Sequence, residues 1–163
     1  MLKRSILLVA ITATFIFQFF VQGAMATTLD TETLTVPVNP SGETIVLTQD
    51  EAALGKKLFN ETCAICHLTG GTKTNPNVNL SSDSLALAFP PRDNIEALVE
   101  FMQDPMSYDG AYNIAEVHPG ISSADIFPKM RNLSEDDLVA IAGHILIQPK
   151  VNPEKWASGK TKF

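Results

Sequence analysis

The sequence predicts a mostly α-helical domain with an N-terminal β-hairpin. Three observations predict it: three segments repeat apolar residues at helical spacing behind recognisable caps, period-two alternation is confined to residues 33–47, and Gly and Pro clusters separate the two kinds of segment. The 163 residues are 45% hydrophobic and 18% charged, with 9 Gly, 10 Pro and 2 Cys, which describes one ordinary globular domain. A disordered, collagen-like or disulfide-dense chain is excluded.

The chain opens with a segment of a different kind. Lys3 and Arg4 precede an apolar run from Ile6 to Val21 that ends at Ala24-Met25-Ala26, the basic start, apolar middle and small-x-small exit of a cleaved secretory leader. No later apolar run is long enough to cross a bilayer. Cleavage after residue 26 is therefore expected, with residues 27–163 forming a single domain of 137 residues. That domain holds ten Lys and Arg against eighteen Asp and Glu, a net charge of −8. Such a charge argues against nucleic acid or anionic lipid as partner and favours a basic protein surface.

The hairpin comes first in the exported part. Thr33 to Val38 alternates, Asn39-Pro40-Ser41-Gly42 turns the chain, and Glu43 to Leu47 alternates again. Thr48 with Glu51 forms a capping box that opens the first helix, whose apolar positions Leu54, Leu58 and Phe59 lead towards a stop near His67.

At the end of that helix stands Cys63-Ala64-Ile65-Cys66-His67. A C-x-x-C run followed directly by His is the attachment site of c-type haem. The spacing suits the chemistry, because residues three and four apart on a helical turn share a face and can meet one porphyrin together. The two thiols add to the haem vinyl groups, and the imidazole of His67 approaches the iron as proximal ligand. A dithiol redox site would share the C-x-x-C, and zinc would accept Cys and His. No βαβ pattern surrounds the motif, however, and the second His pair of a zinc finger is missing. Beside haem, a plain disulfide, favoured by export, and a zinc site remain as the competitors.

Gly70-Gly71 breaks the helix, and the polar, turn-rich stretch from Thr72 to Leu85 reads as a loop along one haem edge, with Asn75 as its candidate haem-edge residue. After Pro90-Pro91, Asp93 with Glu96 offers a cap for a second helix carrying Ile95, Leu98, Val99 and Met102, which ends before Pro105. The third helix is capped by Ser134, carries Glu135, Asp136 and Asp137 where the helix dipole favours acids, presents Leu138, Ile141, Ala142, Ile145 and Leu146 as its apolar stripe, and should stop at Pro149.

The connection from Tyr108 to Leu133 is long, and long ordered connections usually carry function. The sixth iron position is either filled from such a segment or left open, and that choice separates electron transfer from ligand chemistry. Met102 and Met106 read as core and turn residues, and His144 as a structural residue of the last helix. His118, held extended by Pro119, and Met130, just before the last helix, both remain as candidates beside an open site.

Several blocks together resemble a known family. Leu34-Thr35-Val36-Pro37, the haem motif, Thr72-Lys73-Thr74-Asn75-Pro76, Pro90-Pro91-Arg92-Asp93-Asn94-Ile95-Glu96, Ala115-Glu116-Val117-His118-Pro119 and Ser123 to Leu133 are similar to cytochrome c-550, the extrinsic haem subunit of photosystem II. The likeness runs from Leu34 to Trp156. It implies a c-type cytochrome fold, one covalently bound haem c, and His67 and His118 as axial ligands, Met130 not being one. It also implies a low-potential bis-histidine iron and a place in the thylakoid lumen, peripheral on the membrane. There the chain would dock on lumenal subunits of photosystem II and help to retain calcium and chloride at the oxygen-evolving manganese cluster, as an accessory subunit rather than an enzyme. The tail Gly159-Lys160-Thr161-Lys162-Phe163 departs from the Gly-rich stretch followed by aromatic residues that is common in that family. The competing functional classes are a diffusible lumenal or periplasmic electron carrier and a haem enzyme with an open sixth site.

Overall fold

The structure, a computed structural model, describes residues 28–158. The leader expected at residues 1–26 and the departing tail at 159–163 lie outside the described residues.

A short helical turn, α1 (Thr31–Leu34), precedes the hairpin. Sequence alternation hid it. Asp30 creates it by accepting the backbone N–H of Thr33 at 2.8 Å, which takes Thr33 and Leu34 out of the expected strand. The hairpin itself is β1 (Thr35–Pro37) paired antiparallel with β2 (Thr44–Val46), Val36 opposite Ile45. Val36 is buried and Val46 exposed, so one face of this small sheet meets the core.

Next is α2 (Gln49–Thr62), opened by the expected capping box, with Thr48 Oγ1 accepting from Glu51 N–H and Glu51 Oε2 accepting from Thr48 N–H. It ends earlier than predicted. Phe59 carbonyl accepts both Cys63 and Ala64 N–H, which closes the helix and passes the chain into one further turn that carries Cys63 to His67. The inner face also differs from the predicted one. Ala52, Gly55, Phe59 and Thr62 are buried whereas Leu54 is exposed, because the face that meets the neighbouring helix is built for close approach rather than for bulk.

Within the expected loop 72–85 a short helix forms, α3 (Ser82–Ala86), with Ser81 Oγ accepting from Ser84 N–H. Then comes α4 (Ile95–Gln103), which buries Ile95, Leu98, Val99 and Met102 as expected. Its cap is Asn94, not Asp93. The amide oxygen of Asn94 accepts from Ala97 N–H at 3.0 Å, while Asp93 accepts from the Asn94 side chain. The connection to the last helix contains two 3-10 turns, Ile121–Ser123 and Pro128–Met130.

The last helix, α5 (Glu135–Val151), starts with a Ser134–Asp137 capping box. Pro149 does not stop it. A proline in the last turn forfeits only its own N–H bond, and Asn152 N–H to Gln148 carbonyl at 2.9 Å closes the helix two residues later. α5 packs against α2, α4 and β1, so besides the predicted stripe it buries Ala140, Gly143, His144 and Ile147. Leu146 is only half-buried. Ile141 and Ala142, fully enclosed, mark the centre of the core, and burying a side chain the size of Ile141 stabilises the fold by about 1.5–3 kcal/mol.

Candidate functional site

The turn that follows α2 brings the motif together. His67 N–H donates to Cys63 carbonyl at 2.9 Å and Cys66 N–H to the same carbonyl at 3.1 Å, so the two thiols and the imidazole project from one helical turn. Both thiols are free. Burial, with Cys66 beside it, pushes the Cys63 thiol up to about 12 and keeps it neutral.

The chain after His67 is pinned from the far end of the sequence. Thr69 and Gly70 adopt positive φ, 53° and +79°, and a Cβ at Gly70 would lie 2.6 Å from the Trp156 ring, so only glycine fits beneath that indole. Trp156 Nε1–H donates to Leu80 carbonyl at 2.8 Å, and Ala157 N–H donates to Thr69 carbonyl at 2.7 Å. The segment after α5 thereby ties down the chain on either side of residues 72–79, the first part of the loop predicted to flank the cofactor. Nothing in the local sequence around Trp156 signals this role.

His118 arrives from the other side. Its N–H donates to Ile114 carbonyl at 2.8 Å, Ile114 N–H donates to Pro105 carbonyl at 2.8 Å, and the segment is thereby tied to the end of α4. The His118 ring stands 6.0 Å from that of His67, inclined at 54°, and its other neighbour is the Phe101 ring at 4.9 Å. Each imidazole is oriented through Nδ1: that of His118 lies 2.9 Å from Pro119 carbonyl, and that of His67 lies 3.2 Å from Thr72 Oγ1. The carbonyl at Nδ1 assigns the proton of His118 to that nitrogen and leaves the lone pair on Nε2. Burial keeps both rings neutral; His118, further disfavoured as a cation by His67, is held down to about 4, and His67 is shifted in the same direction by burial.

A cavity of about 390 Å³ lies between these groups. Its walls include all four residues of the expected attachment and ligand set, Cys63, Cys66, His67 and His118, together with Asn75, whose Oδ1 accepts from Asn77 N–H. Met102, Met106 and Met130 also reach the wall, so Met102 is at once core and lining. His144 does not. It is buried against Phe59 and Trp156, ring centres 5.1 and 6.0 Å away, on the outer side of the cavity wall. Arg92 and Phe101, which local sequence reasoning passed over, line the cavity as well.

These residues fit a c-type haem on the chemistry of the donor set. Two neutral imidazoles oriented through Nδ1 face one another, two unpaired thiols flank one of them, and the remaining wall is largely aliphatic and aromatic. A buried neutral thiol suits a thioether bond to a vinyl group, which leaves no charge behind.

Comparison with known proteins agrees. Residues 27–163 match the model of the cytochrome c-550 domain. A photosystem II extrinsic protein V of Emiliania huxleyi is 56% identical over 162 residues, covering 99% of both chains. That of Thermosynechococcus vestitus is 53% identical over 163 residues, covering 100% of both. Among solved structures, a cytochrome c549 is 55% identical with a TM-score of 0.77, covering 78% of this chain and 99% of its own. The helical core, the N-terminal hairpin and the opposed histidines thus form a c-type cytochrome fold, and the chain belongs to the cytochrome c-550 family.

Proposed function

We propose that this chain carries one haem c, bound covalently through Cys63 and Cys66, with His67 and His118 as the axial ligands of its iron. The haem supplies a one-electron redox centre whose six positions are filled, so no position is left for a substrate, and the chain acts as an accessory subunit rather than an enzyme. Replacing an axial Met by His removes the ligand that raises cytochrome c potentials and favours a low-potential centre. Asn75 lines the edge of the group. The opposed, neutral, Nδ1-anchored imidazoles are what support this ligand set.

The partner reading follows from full-length kinship. Proteins more than half identical over the whole chain are named as extrinsic proteins of photosystem II. After loss of residues 1–26, the domain 27–163 would sit in the thylakoid lumen, peripheral on the membrane. It would bind lumenal subunits through complementary charge and help to retain calcium and chloride at the manganese cluster. No described helix is long and apolar enough to cross a membrane. The test is reconstitution. Photosystem II stripped of the protein should lose oxygen evolution mainly when calcium and chloride are scarce, and adding the chain back should restore it even with haem that cannot be reduced. Recovery that tracked haem reduction would overturn the stabilising role and favour the diffusible electron carrier.

A further inference from the structure

Arg92 is a buried cation, 8% exposed, on the wall of the haem cavity. Its Nη2 donates to the carbonyls of Met106 at 3.0 Å and Ser107 at 2.6 Å, and its own backbone N–H donates to Leu85 carbonyl. The guanidinium carbon sits 4.1 Å from the centre of the Phe101 ring, and that ring meets the His118 ring edge-on, centres 4.9 Å apart. Charge, aromatic ring and imidazole are therefore contiguous, the guanidinium over the Phe101 face and the imidazole at an edge-on contact with that ring. Among the described residues no carboxylate pairs with this guanidinium; its partners are two carbonyls and a π face.

A full positive charge normally avoids such a site, since burial without a counter-ion is costly. Two neutral carbonyls and a cation–π contact offset part of that cost but cancel none of the charge. In a low-dielectric wall its field reaches the neighbouring groups with little screening. Reduction of a ferric centre lowers the positive charge there by one, so a fixed cation nearby favours the ferrous form.

Resting on the proposed ligation by His118, we infer that Arg92 tunes the haem: held on the cavity wall over Phe101, its charge, which no described carboxylate cancels, raises the reduction potential of the iron. Arg92 touches neither ligand directly in this role. It is a positioning residue for charge, and the carbonyls of Met106 and Ser107 fix where that charge stands.

The experiment is a redox titration of the whole haem-loaded protein with Arg92→Gln and Arg92→Lys, each accompanied by an absorption spectrum. The Gln variant should keep a six-coordinate low-spin spectrum while its ferrous-to-ferric ratio at a fixed applied potential falls about tenfold, a shift of about 59 mV for one electron. The Lys variant should recover most of that loss. An unchanged potential in Arg92→Gln overturns the inference, and is the result expected if a haem propionate already neutralises the guanidinium. Equal shifts in the two variants also overturn it, since the effect would then be one of packing. Should Gln disrupt the spectrum, Arg92→Met, unbranched, uncharged and without donors, read against Lys, decides between charge and packing. A wild-type spectrum without bis-histidine character would instead remove the ligand assignment on which the inference stands, leaving the two failures distinguishable.

Discussion

The imidazole of His118 faces that of His67 at 6.0 Å, centre to centre. Two imidazoles on either side of one metal, each about 2 Å from it, would hold their ring centres about 6 Å apart, a spacing compatible with the proposed ligand pair. Both rings are fixed by contacts at Nδ1, to Thr72 and to the carbonyl of Pro119. Both side chains are thereby held in place, so the proposed ligation would cost little further side-chain freedom.

The ligand set gives the first prediction. His118→Ala should abolish the six-coordinate low-spin spectrum and open the iron to cyanide or carbon monoxide, whereas Met130→Ala should leave the spectrum unchanged despite its place on the wall. The ferric protein should also lack the weak far-red methionine-to-iron charge-transfer band. Seeing that band, or the reverse pattern in the two variants, sinks the assignment.

Close approach of α2 to α5 gives the second. A Cβ on Gly55 would collide with the Ala140 carbonyl and press on His144 Cβ at 3.1 Å, and neither backbone can give way without moving a helix. Gly55→Ala should therefore destabilise the fold by about 1–3 kcal/mol, seen as a lower denaturant midpoint at unchanged slope. Gly70→Ala should cost a similar amount for a different reason: a left-handed conformation unfavourable to alanine by about 1–2 kcal/mol, and displacement of Trp156. The second, which displaces the indole directly, should alter the tryptophan fluorescence more than the first.

Much of the fold was legible because its signals are local. The capping box at Thr48, the cap at Ser134 and the apolar stripe of α4 depend on residues three or four apart, and these appear as read. The signals that misled were those that tertiary contact overrides. Leu54 lost the core to Gly55 because the α2 and α5 backbones touch, and Pro149 stayed inside α5 because the last turn tolerates one missing bond. For the site, C-x-x-C-H declares its own chemistry, while the pairing of His118 with His67 needs the fold to bring two distant segments together. Local sequence therefore could not decide between His118 and Met130. Arg92 and Trp156 were invisible for the same reason: a buried cation over Phe101 and an indole over Gly70 are long-range contacts with no periodic signature.

His144 sets a pH dependence of stability. An exposed histidine takes up its proton near 6.5, but burial, with Lys56 nearby, holds His144 down to about 4. Gln148 Nε2 lies 3.4 Å from its Nδ1, a contact that suits the neutral ring as acceptor. The unfolded chain thus binds this proton first, and stability present above pH 6.5 is lost progressively as pH falls towards about 4. Denaturant unfolding of the haem protein between pH 7 and 4.5 should show that decline, and His144→Gln, less stable at pH 7, should show a shallower one. Parallel slopes in the two proteins would assign the acid sensitivity elsewhere.

Charge sets the last prediction. Residues 27–163 carry a net charge of −8. An acidic domain is repelled by anionic lipid, so the proposed attachment would be to a protein surface of opposite sign. Contacts between exposed charges weaken as the screening length shrinks from about 10 Å at 0.1 M salt to about 3 Å at 1 M, while buried apolar contacts survive. Washing isolated membranes at rising salt should therefore leave the protein bound at low ionic strength and release it as the concentration approaches 1 M, as judged by haem absorbance in the supernatant. Release into low-salt buffer after gentle preparation would mark a diffusible carrier instead. Retention at 1 M salt with release only by detergent would mean that apolar contacts, not charge, hold it. Neutralising exposed acids in groups should then lower the salt concentration needed for release when the group lies in the docking face, and leave it unchanged elsewhere, which locates that face without a structure of the complex.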